Sequence, residues 1–146
     1  MISETKKKFM YSTIRTALIE LLNSESITKI EVAYRTDRSQ IAGYPAALVF
    51  PAEHEAEYHQ TGSGNNKETY VFTIRILYPF TEGQEDADLA LEEATDEIIG
   101  ALRDRSVLGS AADWVIPVPG KWGYQDRGDG IMRVAELNVR CVKYIE

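Results

Sequence analysis

The chain has 146 residues, of which 23 are acidic and 16 are basic, and its formal net charge at pH 7 is -7. This length fits one domain with one hydrophobic core, so a single domain is predicted over residues 1–146. The acidic excess disfavours sequence-independent binding of nucleic acid, because such binding needs clustered Lys and Arg. No run approaches the roughly 18 apolar residues that span a bilayer, and the polar start lacks the apolar run of a signal peptide. We therefore expect no membrane contact and a cytoplasmic location.

The first half of the chain predicts one helix followed by four strands. Apolar residues recur every three or four positions over about residues 5–23, a spacing typical of one buried helix face. Alternating or short apolar runs then predict strands at 29–34, 45–51, 53–60 and 67–80. Prolines bound the second of these strands and mark its ends, because proline cannot donate to a sheet ladder. The last two strands form a long hairpin with a polar tip at 61–66.

The two arms of this hairpin differ in character. On the second arm one face is predicted to be apolar, and it carries Tyr70, Phe72, Ile74, Ile76 and Tyr78. Thr73 and Arg75 share the opposite face. The first arm places Glu53, Glu55, Glu57 and His59 on one face. A row of like charges is poorly suited to a core, so this row is expected to face solvent or a partner that is not anionic.

The second half predicts a helix and two strands. Ala87, Leu91, Ala94, Ile98 and Leu102 recur at helical spacing. Acidic residues cluster at the start of this helix, where they complement its dipole. Thr81 and Gln84 suggest a capping box at the same end. A short strand at 114–118, a turn-rich loop at 121–130 and a long strand at 131–145 complete the chain. The order α-β-β-β-β-α-β-β predicts an α+β fold, with a mainly antiparallel sheet and two helices packed on one face.

Catalytic and metal-binding patterns are scarce in the sequence. His54 and His59 lie five positions apart on a predicted strand, so their side chains point to opposite faces and cannot readily share a metal ion. Cys141 is the only cysteine and lies in a strand-like run, where a small buried side chain is expected. The carboxylates on the second helix, such as Glu92 and Glu97, are typical of a solvated face. We predict no catalytic residue, no cofactor and no metal site, and therefore no enzyme.

Exposed aromatic residues are more informative. Trp122 and Tyr124 lie beside glycines in the predicted loop, where an aromatic side chain that cannot reach the core is a candidate interface anchor. Packing of that loop onto its own sheet is the alternative interpretation. The candidate interface residues are Glu53, Glu55, Glu57, Asn65, Asn66, Trp122, Tyr124 and Arg127.

The order of elements resembles that of the tail terminator, or tail completion, proteins of long-tailed, lambda-like bacteriophages. Three segments carry the resemblance: the strand 71–78, the helix start 86–94 and the closing strand 133–140. The resemblance covers nearly the whole chain in element order. It implies a homo-hexameric ring on the head-proximal end of the tail tube that stops tube polymerisation and joins the head connector or neck proteins. It also implies that DNA passes through the ring without specific binding, and that the subunit is made in the host cytoplasm and becomes part of the virion tail.

Three alternatives remain open at this point. Another phage neck component, such as a head-closure or adaptor subunit, shares the size, acidity and ring symmetry, and only its partner differs. An unrelated, non-enzymatic binding module is favoured by a stable monomer at high concentration. A small enzyme is favoured by a buried, convergent pair of acids in a pocket.

Overall fold

The computed structural model describes residues 10–35, 40–57, 66–104, 107–128 and 130–145. The elements in chain order are α1 Met10–Leu22, β1 Val32–Tyr34, β2 Ala46–Glu57, β3 Asn66–Pro79, α2 Gln84–Leu102, β4 Trp114–Asp126 and β5 Ile131–Ile145. The five strands form one sheet in the order β1-β2-β3-β5-β4. β1 pairs with β2 in parallel, and every other neighbouring pair is antiparallel. The predicted α+β class and mainly antiparallel sheet are confirmed.

Both helices pack on the same face of the sheet, as the sequence predicted. α1 buries Ile14, Leu18 and Leu22, and α2 buries Ala87, Leu91, Ala94, Ile98 and Leu102. These side chains form one core with alternate residues of the central strands: Tyr70, Phe72, Ile74 and Ile76 of β3, and Ala135, Leu137, Val139 and Cys141 of β5. We call this the helix face of the sheet. Burial of these apolar side chains is the main driving force for this arrangement.

The opposite face of the sheet, here called the open face, carries a smaller apolar cluster. Leu48, Leu77, Met132 and Val134 are buried there. Four partly buried side chains from β1, the segment after it and β2 pack against this cluster: Tyr34, Ile41, Tyr44 and Phe50. The same face carries the polar pairs Thr73–Asn138 and Arg75–Glu136, and β4 forms its edge.

The strands predicted at 45–51 and 53–60 are joined in one long strand, β2. The register with β3 shifts between Pro51 and Glu53, so Ala52 is an extra residue at a bulge. Pro51 is tolerated inside the strand because β1 pairs only with Ala46–Leu48. On that side, no other described strand pairs with the rest of β2, so the missing N–H of Pro51 removes no ladder bond there.

Two local predictions need correction. The predicted capping box is not formed, because Gly83 is the N-cap of α2 and makes no side-chain cap, while Thr81 lies in a preceding 3-10 turn. The loop predicted at 121–130 is largely strand, since β4 continues through Pro119 and Gly120 as far as Asp126. The hairpin is confirmed between Glu57 and Lys67. Asn66, the last residue of the predicted tip, begins β3, whereas the rest of the tip, His59 and the start of the predicted first helix lie outside the described residues.

Candidate interaction surface

β4 is an edge strand that exposes apolar side chains along its length. In its first half Trp114, Ile116 and Val118 are 42%, 40% and 37% exposed. In its second half Trp122 and Tyr124 are 39% and 54% exposed. Single exposed apolar residues are ordinary on protein surfaces, but a series of them on one edge strand indicates an interaction site.

A bulge divides these residues between the two faces of the sheet. Val118 pairs with Asn138 and Trp122 pairs with Ala135, so four steps along β4 match three along β5. Because side chains alternate along a strand, one extra residue reverses the face to which later side chains point. The first group, here called the open-face stripe (Trp114, Ile116, Val118), lies on the open face. Trp122 lies on the helix face.

The bulge depends on a close approach of two strands at Gly120. A Cβ atom built on Gly120 would lie 2.7 Å from the carbonyl oxygen of Glu136 on β5. Real Cβ atoms essentially never come this close to a backbone oxygen. A residue with a side chain would therefore force β4 away from β5 at this point, and glycine is the residue that fits.

On the helix face, Arg133 organises an aromatic patch, defined here as Phe80, Trp122 and Tyr124. The Arg133 guanidinium carbon lies 5.2 Å from the ring centroid of Trp122 and 4.6 Å from that of Tyr124. The ring of Tyr124 meets that of Phe80 edge to face at 5.4 Å. Each cation–π contact of this kind stabilises the arrangement by about 0.5–2 kcal/mol.

Two hydrogen bonds hold the Arg133 guanidinium in place. Its Nε donates to Asp88 Oδ1 of α2 at 2.7 Å, and its Nη1 donates to the carbonyl oxygen of Gly123 at 2.9 Å. The planar guanidinium can satisfy both acceptors while its faces remain available to the rings. Trp122 and Tyr124 are therefore held in place by contacts within the chain, and pre-ordering of this kind lowers the entropy that a side chain loses on binding.

A shallow groove of about 510 Å³ lies on the open face beside the bulge. Arg75, Glu136, Lys121 and Gln125 are among the residues that line it. Arg75 Nε donates to Glu136 Oε2 at 2.7 Å, and the Arg75 guanidinium also lies 5.2 Å from the ring centroid of Phe50. Gln125 Oε1 is buried and has no hydrogen-bond partner within the described part of the chain. The groove is polar and open, and its charged pair is already satisfied.

The pKa values of Glu97 and Cys141 are shifted by local contacts and by burial. The Glu97 carboxylate accepts hydrogen bonds from the Thr28 backbone N–H at 2.9 Å, the Thr28 hydroxyl at 2.7 Å and the Lys29 backbone N–H at 2.7 Å. Desolvation alone would raise the pKa of Glu97, but these bonds and the charge of Lys29 together lower it. Burial raises the pKa of Cys141 to about 12, which keeps it a neutral thiol.

The described residues contain no group of three or more His, Cys, Asp or Glu side chains placed to hold a metal ion. None of the helices in the described ranges is long and apolar enough to cross a membrane.

The candidate residues that the structure describes divide between the β4 edge of the sheet and the β2–β3 hairpin. Trp122 and Tyr124 lie together on β4, within a strand and not in the predicted loop. Arg127 follows directly, and its backbone N–H donates to the carbonyl oxygen of Gly130 at 2.9 Å. Glu53 is exposed on β2 at the other edge.

The remaining candidates belong to the β2–β3 hairpin. Glu55 and Glu57 follow on β2 at register positions opposite Thr69 and Lys67. Asn66 begins β3, whereas Asn65 lies outside the described residues.

Several residues of this surface were not singled out from the sequence. Arg133, Asp88 and Phe80 gave no local signal, because each comes from a different element. The short run at 114–118 correctly indicated a strand. It did not reveal that the strand lies at an edge, where this face is uncovered.

Comparison of the chain with models of protein families and with curated proteins found no match.

Proposed function

We propose that this chain is a structural virion subunit, the tail terminator that caps the head-proximal end of a bacteriophage tail tube. In this role it forms a ring, stops tube polymerisation and provides the surface for joining the head. The observation that carries the proposal is the edge strand β4, which presents apolar side chains on both faces of the sheet. Such a strand suits a subunit that meets more than one neighbour.

The fold adds support. The resemblance implies a small α+β subunit with an antiparallel sheet and an extended hairpin, and the chain has this architecture. The hairpin of β2 and β3 is long, because pairing continues as far as Glu57 and Lys67. A shared architecture alone does not define a function. The proposal is therefore tested by substitutions at specific side chains.

Capping of the tube needs contacts that close the ring and contacts that end growth along the tube. Subunits that join through two different surfaces form a closed ring when the rotation between them closes, and a closed ring leaves no free surface within its layer. A terminator then needs one surface that binds the last tube ring and another that cannot recruit a further tube subunit. We assign the aromatic patch to binding the tube, because Trp, Tyr and Arg dominate binding energies at protein interfaces.

The charge of the chain is compatible with a channel for DNA. A net charge of -7 opposes phosphate binding, which depends on released counterions around Lys and Arg. DNA would then move through such a ring without being held.

Imaging of purified tail tubes mixed with the protein tests the proposal. Negative-stain images are expected to show added density at one end of the tube and an end to further tube growth. Trp122→Ala removes the ring stacked on Arg133 and is expected to weaken this binding roughly tenfold or more. Leu89→Ala is the matched control, since Leu89 is similarly exposed on α2 but lies outside the aromatic patch.

Three outcomes would count against parts of the proposal. Tubes that grow unchanged in the presence of wild-type protein would contradict the terminator role. Binding to a portal or head-closure protein in place of the tube would favour another neck component. Equal losses for the Trp122 and Leu89 variants would contradict the assignment of the aromatic patch.

A further inference from the structure

We infer that copies of this chain join head to tail, with the β4 edge of one copy against the free part of β2 in the next copy. This inference rests on the proposed function, because it names the contact that would close the ring. It follows from the topology of the sheet, the charges on its two edges and the positions of the edge prolines.

The sheet has two incompletely paired edges within the described residues. At one edge β1 covers only Ala46–Leu48, and Arg15 Nε donates to the carbonyl oxygen of Val49 at 2.9 Å. Residues 50–57 of β2 therefore have no strand beside them on that side, among the residues that the structure describes. At the other edge, β4 pairs only with β5 over the same described ranges.

These two edges differ in charge, and Lys121 on the β4 edge is opposite in sign to the acidic β2 edge. Residues 50–57 contain three glutamates and no Lys or Arg, and Glu53 among them is exposed. β4 contains two charged residues, Lys121 next to the bulge and Asp126 at its end, and both are exposed. The remainder of this strand includes the open-face stripe. The β2 edge is thus acidic, and the β4 edge is mostly apolar, with a cation beside the bulge and an acid at its last residue.

Strand directions also match. β2 runs antiparallel to β3, β3 to β5, and β5 to β4, so β2 and β4 run in opposite directions within one sheet. If a second copy continues the sheet beyond β4, its β2 therefore lies antiparallel to β4. This is the same relation as in the three antiparallel pairs within the chain.

The contact is head to tail and not two-fold. A two-fold contact between β4 edges would bring together two edges that each carry Lys121, and it would leave residues 50–57 uncovered. The head-to-tail contact covers both edges of every copy and closes into a ring when the rotation allows it.

Edge prolines limit the strength of this contact. Pro51 on β2 and Pro117 and Pro119 on β4 have no N–H, so a continuous backbone ladder cannot form along these stretches. Side chains must therefore carry most of the contact. We expect weak association that depends on concentration and strengthens when copies are held side by side on a tube.

Complementation between two edge variants of the full chain tests this inference. Ile116→Asp alters the β4 edge and Glu53→Arg alters the β2 edge, and both positions are exposed. Sedimentation velocity over a wide concentration range is expected to show self-association of the wild type. Each variant alone should associate roughly tenfold or more weakly. Their equimolar mixture should form a complex of two chains and nothing larger, because each pair retains one intact contact.

Lys121→Glu provides a second β4 variant, in case Ile116→Asp lowers stability, and thermal unfolding of each variant checks that it is folded. A wild-type chain that stays monomeric at every concentration overturns the inference. Glu53→Arg protein that associates as strongly as the wild type also overturns it, since a two-fold β4 contact predicts that result. Tube capping by the wild type is scored separately, so failure of the terminator role and failure of the edge contact are distinguishable.

Discussion

Gly120 of β4 lies so close to β5 that a Cβ atom on it would be 2.7 Å from the carbonyl oxygen of Glu136. The obstructing atom belongs to the backbone of a central strand, which cannot move aside as the end of a flexible side chain would. This approach occurs at the bulge that places Trp122 on the opposite face from Val118. The exposed surfaces of β4 therefore depend on a residue that has no side chain.

Gly120→Ala is expected to destabilise the protein by about 1–3 kcal/mol, the usual range for overpacking at a site that cannot relax. Denaturant unfolding measures this change. Gly123→Ala is the matched control, because it lies on the same strand and a Cβ there meets nothing within 4 Å. Its effect should stay within about 0.5 kcal/mol. Equal stability of the two variants would contradict the close approach at Gly120.

Arg133→Lys should lower the free energy of unfolding by about 1–2 kcal/mol, because an ammonium cannot reproduce the fork that reaches both Asp88 and the Gly123 carbonyl. It should also loosen Trp122, so that acrylamide quenches its fluorescence more readily in a Trp114→Phe background. Arg103→Lys is the control, since Arg103 is exposed at the C-cap of α2. Unchanged quenching in the Arg133 variant would show that the guanidinium does not order the patch.

Glu97→Gln should destabilise the protein by about 1 kcal/mol, because a charged acceptor for the Thr28 and Lys29 groups is replaced by a neutral one. Since the pKa of Glu97 is lowered in the folded protein, its contribution is fully present above the pKa of an unfolded glutamate. That contribution is lost as the pH falls through the folded pKa.

The Glu97 variant should therefore lose part of the acid-dependent change in stability. Glu92→Gln, at an exposed position of the same helix, serves as the control and should follow the wild-type pH profile. Unfolding midpoints measured from neutral to acidic pH compare the three proteins. Identical slopes for all three would contradict the stabilisation that Glu97 provides through its hydrogen bonds to Thr28 and Lys29.

Cys141 should be unreactive in the folded protein. It is fully buried in the core, and burial raises its pKa to about 12, so almost no thiolate forms near neutral pH. A chromogenic disulfide reagent at mildly alkaline pH should label it only after denaturant is added, and the denatured chain is the positive control. Rapid labelling of the native protein would mean that β5 opens locally.

Much of the fold was predictable from local pattern. The alternation from Tyr70 to Ile76 correctly identified the core face of β3, because period-two burial is set by the backbone of a strand itself. The helical spacing from Ala87 to Leu102 likewise identified the buried side of α2. Prolines were less reliable guides, since their effect depends on whether a neighbouring strand needs the missing N–H. For that reason Pro51 lies inside a strand and does not end it.

The candidate surface was only half predictable. Trp122 and Tyr124 were named from their residue types, but the contacts with Arg133 that hold the two rings were not predicted. Arg133 is 45 residues away from Asp88 in the chain, and only sheet pairing and the packing of α2 bring the two together.

The sequence by itself determined the class of fold, the composition of the core and the acidic character of the chain, since each depends on residue types at short spacing. Tertiary structure alone decided that β4 lies at the edge, that its bulge divides the exposed apolar residues between two faces, and that Arg133 stacks beneath the aromatic rings. The physical reason is that a strand's sequence encodes which residues alternate. Whether a face or edge is covered depends on distant segments, and local periodicity carries no record of them.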